Sequence, residues 1–169
     1  MKEKGMYFGK ESIYQKIRDL GGVWNDSKER PIVCLLESTE RKGLYWAIPV
    51  GNWNHRDESK KQRIQKYLDS PESDLRSCYY HVARTTVKSI FFISDVIPIT
   101  KEYIERDYLG YNKEHFVIKN PKLIEQLNHK LTRILSFENI NNNYFRQHIT
   151  SLKNSLIDEL NNKEKLDNK

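Results

Sequence analysis

Residues 78–100 read CYYHVARTTVKSIFFISDVIPIT. His81, Arg84, Thr85, Thr86 and Lys88 crowd into the first part of this stretch. Two apolar runs follow, Ile90–Ile93 and Val96–Ile99, and read as a pair of buried strands. One acid–base group, two hydroxyls and two permanent cations therefore stand at the mouth of a hydrophobic sheet. Those groups can hold a phosphodiester, move a proton and stabilise a developing pentacoordinate phosphate. No carboxylate lies inside the cluster, which argues against a phosphate site built on a metal ion.

Working outward, Pro31–Glu37 (PIVCLLE) is a nearly continuous apolar run and reads as a buried strand. The polar turn Ser38–Gly43 leads to Leu44–Val50 (LYWAIPV), its antiparallel hairpin partner, with Pro49 marking a strand end or edge. Upstream, Ile13, Tyr14, Ile17 and Leu20 fall at helical spacing, and Gly21-Gly22 stops that helix. Residues 51–61 are polar and loop-like, and Lys60–Leu68 reads as a short helix. Downstream, Thr100 is an N-cap for a helix over Lys101–Leu109. Asn120-Pro121 opens a longer helix whose apolar face holds Ile124, Leu127, Leu131, Ile134 and Leu135. After the polar run Asn139–Asn143, a last helix carries Phe145, Ile149, Leu152, Leu156 and Leu160. Residues 161–169 read as a frayed, charged tail beyond a single domain of residues 1–160. Strands gathered in residues 30–100 with long helices after them predict an α+β fold.

Charged residues make up 31% of the chain and hydrophobic ones 37%, which predicts a surface dense in charge. Lys and Arg exceed Asp and Glu by 29 to 23, a net charge of +6 that permits a polyanionic partner without requiring one. Two cysteines, Cys34 and Cys78, make neither a disulfide framework nor a zinc site. The amino end lacks an apolar signal segment and no run is long enough to span a bilayer, so a cytoplasmic location with no membrane partner is expected.

Among the candidate site residues, His81 can do proton work near neutral pH. Arg84 can grip a phosphate with two donors and Lys88 with one, while Thr85 or Thr86 donates a hydrogen bond to it. The alternative is a solvated basic strand and turn that contains a histidine. In the loop PVGNWNHR, Gly51 permits close approach of a ligand, Asn52 can read a base edge, and Trp53 can stack on a base. His55 and Arg56 complete that loop. The alternative is an ordinary hairpin exit with Trp53 folded onto the core. Arg30 enters the first hairpin strand at the same end of the sheet, unless it is only an exposed strand-start charge. Lys122, Lys130 and Arg133 form a basic helix face able to contact RNA backbone, or simply a solvated face. His115, His129 and His148 have no ligand-spaced partners, so no metal and no cofactor are expected.

Three segments together resemble a known family: residues 30–50 (RPIVCLLESTERKGLYWAIPV), residues 88–100 (KSIFFISDVIPIT) and residues 120–135 (NPKLIEQLNHKLTRIL). Their order and spacing look like the ToxN/AbiQ endoribonuclease toxins of type III toxin–antitoxin systems, taken broadly to include CptN-like and TenpN-like toxins. The likeness extends over about residues 6 to 160. It implies a twisted antiparallel, barrel-like sheet with flanking helices, similar to the MazF/Kid toxins. It also implies metal-independent RNA cleavage to 2′,3′-cyclic phosphate and 5′-hydroxyl ends, with a role in phage defence by abortive infection or in plasmid maintenance. The implied inhibitor is a small repeat-derived RNA that folds into pseudoknots and assembles with the toxin, and no protein antitoxin is implied.

One segment departs from the family. Its members often carry Thr or Ser, then Lys, just after the Pro that ends the second hairpin strand. Here that place reads Gly51, Asn52, Trp53, Asn54, His55. Catalysis is therefore expected to fall to His81, His55, Arg84, Thr85, Thr86 and Lys88. RNA binding is expected to fall to Arg30, Asn52, Trp53, Arg56, Lys122, Lys130 and Arg133. The alternative function, from a different class, is a non-catalytic RNA-binding module.

Overall fold

The computed structural model describes residues 1–24 and 29–169. Among these described residues seven strands and four α-helices follow in chain order: β1 (Gly5–Gly9), α1 (Glu11–Asp19), β2 (Pro31–Glu37), β3 (Tyr45–Asn52), α2 (Glu58–Leu68), β4 (Tyr80–Arg84), β5 (Lys88–Phe92), β6 (Ile97–Ile99), β7 (Ile104–Asp107), α3 (Pro121–Ile140) and α4 (Ile149–Asp167). The strands form one antiparallel sheet in the order β4-β5-β3-β2-β1-β7, and β6 also pairs with β3. This is an α+β architecture. The barrel-like sheet implied by the resemblance is not closed, because β4 and β7 remain at opposite edges.

The near-continuous apolar run of β2 is explained by burial on both faces. Val33 and Leu35 join Trp46, Ile48 and Val50 of β3 in a core roofed by Leu123, Leu127, Leu131 and Ile134 of α3. Ile32 and Cys34 face the other way, with Ala47 and Tyr7, onto Ile13 and Ile17 of α1 and Leu152 and Leu156 of α4. The sheet is thus the middle of three layers, and side-chain alternation sorts each strand between two cores. Burial pushes the Cys34 thiol up to about 12, so it is a buried, protonated thiol.

Local signals at the helix ends operate as their chemistry requires. The Asn120 side chain accepts from the amides of Lys122 and Leu123, and Pro121 occupies the first turn, where its missing N–H costs nothing. Asp57 caps α2 by accepting from Lys60 N at 2.9 Å. Gly21, at φ 87°, supplies the left-handed residue beyond α1.

Four expectations are corrected. The segment 101–109 is a short 3-10 turn followed by β7, not a helix. Thr100 makes no side-chain cap bond, and pairing with β1 outweighs local helix signals. The runs in residues 90–99 do not pair with each other. β5 and β6 both lie along one edge of β3, at Val50–Asn52 and Tyr45–Ala47, separated by the 3-10 turn Ile93–Asp95. The fully buried Gln147 holds that turn, donating from Nε2 to the carbonyls of Ser94 and Val96, each at 2.8 Å. Phe145 precedes the last helix rather than lying in it, and that helix continues through the charged tail to Asp167. No described helix is long and apolar enough to cross a membrane.

Candidate functional site

β2 begins, β3 ends and β5 begins at the same end of the sheet. A cleft of about 410 Å³ opens there. Arg30, Asn52, His55, Arg56, Thr85 and Thr86 line it, so segments distant in sequence share one site. Ser89, Tyr108 and the stretch Leu109–Tyr111 also line it.

The basic wall is built on an aromatic ring. The guanidinium carbons of Arg30 and Arg56 lie 5.1 and 4.9 Å from the centroid of Phe92. Each gains from the negative face of the ring. The two guanidiniums thus share one ring on one wall of the cleft. Gly51 is a condition of this packing. A Cβ there would run into Nη2 of Arg56 and come within 3.1 Å of Phe92 Cε2.

The loop after β3 is fixed by Trp53. Its ring is 9% exposed and packs with Ile64, Ile90 and Phe92. The Lys61 and Lys88 ammonium groups each lie 5.8 Å from its centroid. Trp53 is therefore the anchor of the loop and is not presented for base stacking. The Asn52 side chain accepts from Asn54 N at 2.9 Å and tightens the 3-10 turn Trp53–His55. The turn leaves His55 exposed on the cleft wall.

Hydroxyls make the facing wall. Ser89 Oγ donates to Val87 O at 3.0 Å, so the 2.7 Å contact between Thr85 Oγ1 and Ser89 Oγ is donated by Thr85. Thr86 Oγ1 lies 3.1 Å from the Tyr108 hydroxyl. Glu29 is the carboxylate among the described lining residues. It accepts from Arg106 Nη1 at 2.6 Å, a hydrogen bond that holds its carboxyl below the usual range. Among the described residues, no group of three or more His, Cys, Asp or Glu is placed to hold a metal ion.

The remaining candidates lie elsewhere. His81 sits in β4 opposite Phe91 and does not line the cleft. Burial, then the nearby Lys130 ammonium, lowers its pKa to about 4 against the opposing hydrogen bond with Gln126. It is a neutral, half-buried imidazole packed toward α3. Lys130 Nζ donates to Tyr80 O at 2.8 Å, tying α3 to the sheet edge. Arg133 Nη1 donates to Glu72 O at 2.5 Å and contacts Cys78 Sγ at 3.2 Å, fastening the segment that leads into β4. Lys122 is exposed at the start of α3, and Lys88 is exposed beside Trp53. Arg84 borders a different recess, with Asn112 and His115.

Tyr108 carries no local sequence signal, because it reaches Thr86 only through pairing of β7 with β1. Ser89 was legible in principle: it shares a side of β5 with Phe91 and follows the Thr pair closely. No protein-family model matches the chain, and no curated protein matches its sequence.

Proposed function

We propose that the cleft is the active site of a metal-independent endoribonuclease. The arrangement that supports this reading is the pair of guanidiniums on Phe92, set around the same cleft as His55 and the hydroxyls of Thr85, Thr86 and Tyr108. Arg30 and Arg56 hold the non-bridging oxygens of the scissile phosphate, and their charge grows more favourable as the pentacoordinate state gains negative charge. His55 takes the proton from the substrate 2′-hydroxyl. The 2′-oxygen forms a bond to phosphorus and the P–O5′ bond breaks. The Tyr108 hydroxyl gives its proton to the departing 5′-oxygen, and solvent later restores both groups. The products are a 2′,3′-cyclic phosphate and a 5′-hydroxyl. Thr86 donates to the Tyr108 hydroxyl and so orients its proton toward the leaving oxygen, while Thr85, whose own proton goes to Ser89, holds the turn that carries Thr86. Glu29, occupied by Arg106, is not assigned to metal binding.

The resemblance to the ToxN/AbiQ toxins supports the same reaction class, and kinship of the core with MazF/Kid toxins belongs to the same proposal. On this reading the chain is a toxin restrained by a small repeat-derived RNA, and it acts in phage defence or plasmid maintenance.

The test uses the purified chain, a short RNA and EDTA. Cleavage to cyclic-phosphate and 5′-hydroxyl ends is expected, with no cleavage where the nucleotide at the cut is 2′-deoxy. His55→Ala is expected to lose ~100- to 10,000-fold in rate with RNA still bound. RNA that is bound but left intact by the wild-type chain would instead establish a binding module. Cleavage of the 2′-deoxy substrate would overturn the mechanism.

A further inference from the structure

The most exposed aromatic ring among the described residues stands on the rim of the proposed active site. Tyr111 is 82% exposed, and its neighbour Leu109 is 54% exposed. Both line the cleft together with Tyr108 and Gly110. Other tyrosine rings are used by the fold: Tyr14 stacks on Trp24, Tyr79 and Tyr80 pack near Tyr67, and Tyr144 packs on Phe137.

The backbone beneath Tyr111 is firmly held. Phe116 N donates to Tyr108 O, Tyr108 N to Met6 O, and Met6 N to Phe116 O, each at 2.9 to 3.0 Å. Gly110 N donates to Glu114 O and Lys113 N to Gly110 O, closing the hairpin tip. Asn112 Oδ1 accepts from Glu114 N at 3.1 Å, and Lys113 takes a left-handed conformation at φ 61°. A tied-down tip that presents a solvated ring at a basic cleft is the arrangement needed to receive a second flat surface. The basic groups of the cleft decide which surface. A strand whose phosphate lies against Arg30 and Arg56 carries a base on the neighbouring nucleotide, and every base has a stacking face.

We propose that Tyr111 is a stacking platform for an unpaired nucleobase flanking the scissile phosphate, with Leu109 as its apolar neighbour. The proposal rests on the endoribonuclease reading above and adds a substrate class to it: single-stranded RNA with an extruded base at a fixed distance from the cut. A duplex, whose bases are stacked on one another, does not offer that face.

The experiment measures affinity for a short single-stranded RNA made uncleavable by one 2′-deoxy nucleotide, alongside cleavage of the all-ribose strand. Tyr111→Ala is expected to weaken binding about 10-fold, in line with the loss of one base–aromatic stack. Tyr111→Trp is expected to restore affinity, because the platform and not the hydroxyl is at work. An abasic nucleotide is then walked through the positions flanking the cut. At one position it should cost the wild-type chain the same factor and cost Tyr111→Ala nothing further. If the wild-type chain cleaves RNA and Tyr111→Ala binds it equally well, the stacking role falls and the endoribonuclease reading stands. If abasic and Tyr111→Ala losses multiply at every position, the role also falls. If the substitution instead dissociates a dimer in sedimentation, the rim is a protein interface and the proposal is wrong. If the wild-type chain neither binds nor cleaves RNA, both readings fall.

Discussion

The hydroxyls of Thr86 and Tyr108 lie 3.1 Å apart, although they stand 22 positions apart in the chain. Thr86 belongs to the turn between β4 and β5, near one edge of the sheet, and Tyr108 follows β7 at the other edge. Their contact ties the proposed proton donor to the turn that joins β4 to β5. Tyr108→Phe keeps the ring, which packs edge-on to Phe116, and removes only the hydroxyl. We expect ~100-fold slower cleavage with little change in substrate affinity. A substrate with sulfur in place of the 5′-oxygen needs no proton at its leaving group, so it should be cleaved by Tyr108→Phe at close to the wild-type rate. An equal loss on both substrates would remove Tyr108 from the role of acid.

Gly51→Ala tests the basic wall without deleting a charge. The added methyl displaces the Arg56 guanidinium and presses on Phe92. The guanidinium is the end of a flexible side chain, so the fold should lose only ~1 kcal/mol. RNA affinity should fall about 10-fold, because the phosphate loses a well-placed guanidinium. Calorimetric unfolding together with RNA titration separates the two effects. Unchanged affinity would show that the placement of Arg56 on Phe92 does not matter for binding.

His81 should report on stability rather than on proton transfer. In the folded chain its pKa is lowered from 6.5 to about 4, chiefly by burial. The unfolded chain therefore takes up a proton at higher pH than the folded one. Stability from the neutral imidazole is complete above about pH 6.5 and is lost as the pH falls toward about 4. Because the ring is partly solvated, the loss is expected to be only ~1–2 kcal/mol. Urea unfolding at pH 7 and pH 4.5 should show this decrement in the wild-type chain and a smaller one in His81→Gln. Equal decrements in the two proteins would contradict the assignment.

Gln147→Leu should be among the costlier single changes. It leaves the Ser94 and Val96 carbonyls buried without the amide that now satisfies them. A loss of ~3 kcal/mol is expected in urea unfolding. The register of β5 and β6 on β3 depends on that turn, so amide exchange at residues 93–97 should accelerate more than exchange in β2. Uniform acceleration across the sheet would argue that the glutamine has no local role.

Patterns of short range were readable directly. The PIVCLLE run, the Asn120-Pro121 helix start and the Gly21-Gly22 helix stop are each written within a few residues, because caps, turns and apolar periodicity act over that distance. The same locality explains the misreadings. GMYFG in β1 is flanked by glycines and has no strand signal until β2 and β7 pair with it. Residues 101–109 look helical alone, but Ile104–Asp107 within them become β7 because an open sheet edge offers more hydrogen bonds than an isolated short helix can keep. Trp53 shows the same limit. Its residue type permits both base stacking and core packing, and burial against Ile64, Ile90 and Phe92 decides for the core.

The sequence by itself determined the α+β class, the buried strand over Pro31–Glu37 and the chemical inventory of basic, hydroxyl and imidazole groups. Only the tertiary structure decided which of those groups share a cleft. It joined Arg30 and Arg56 over one ring, added Ser89 and Tyr108, and left His81, Arg84, Lys130 and Arg133 outside. The physical reason is register. Residue type fixes what a side chain can do, but strand pairing and the parity of each residue along its strand fix which side chains meet, and those pairings span the whole chain.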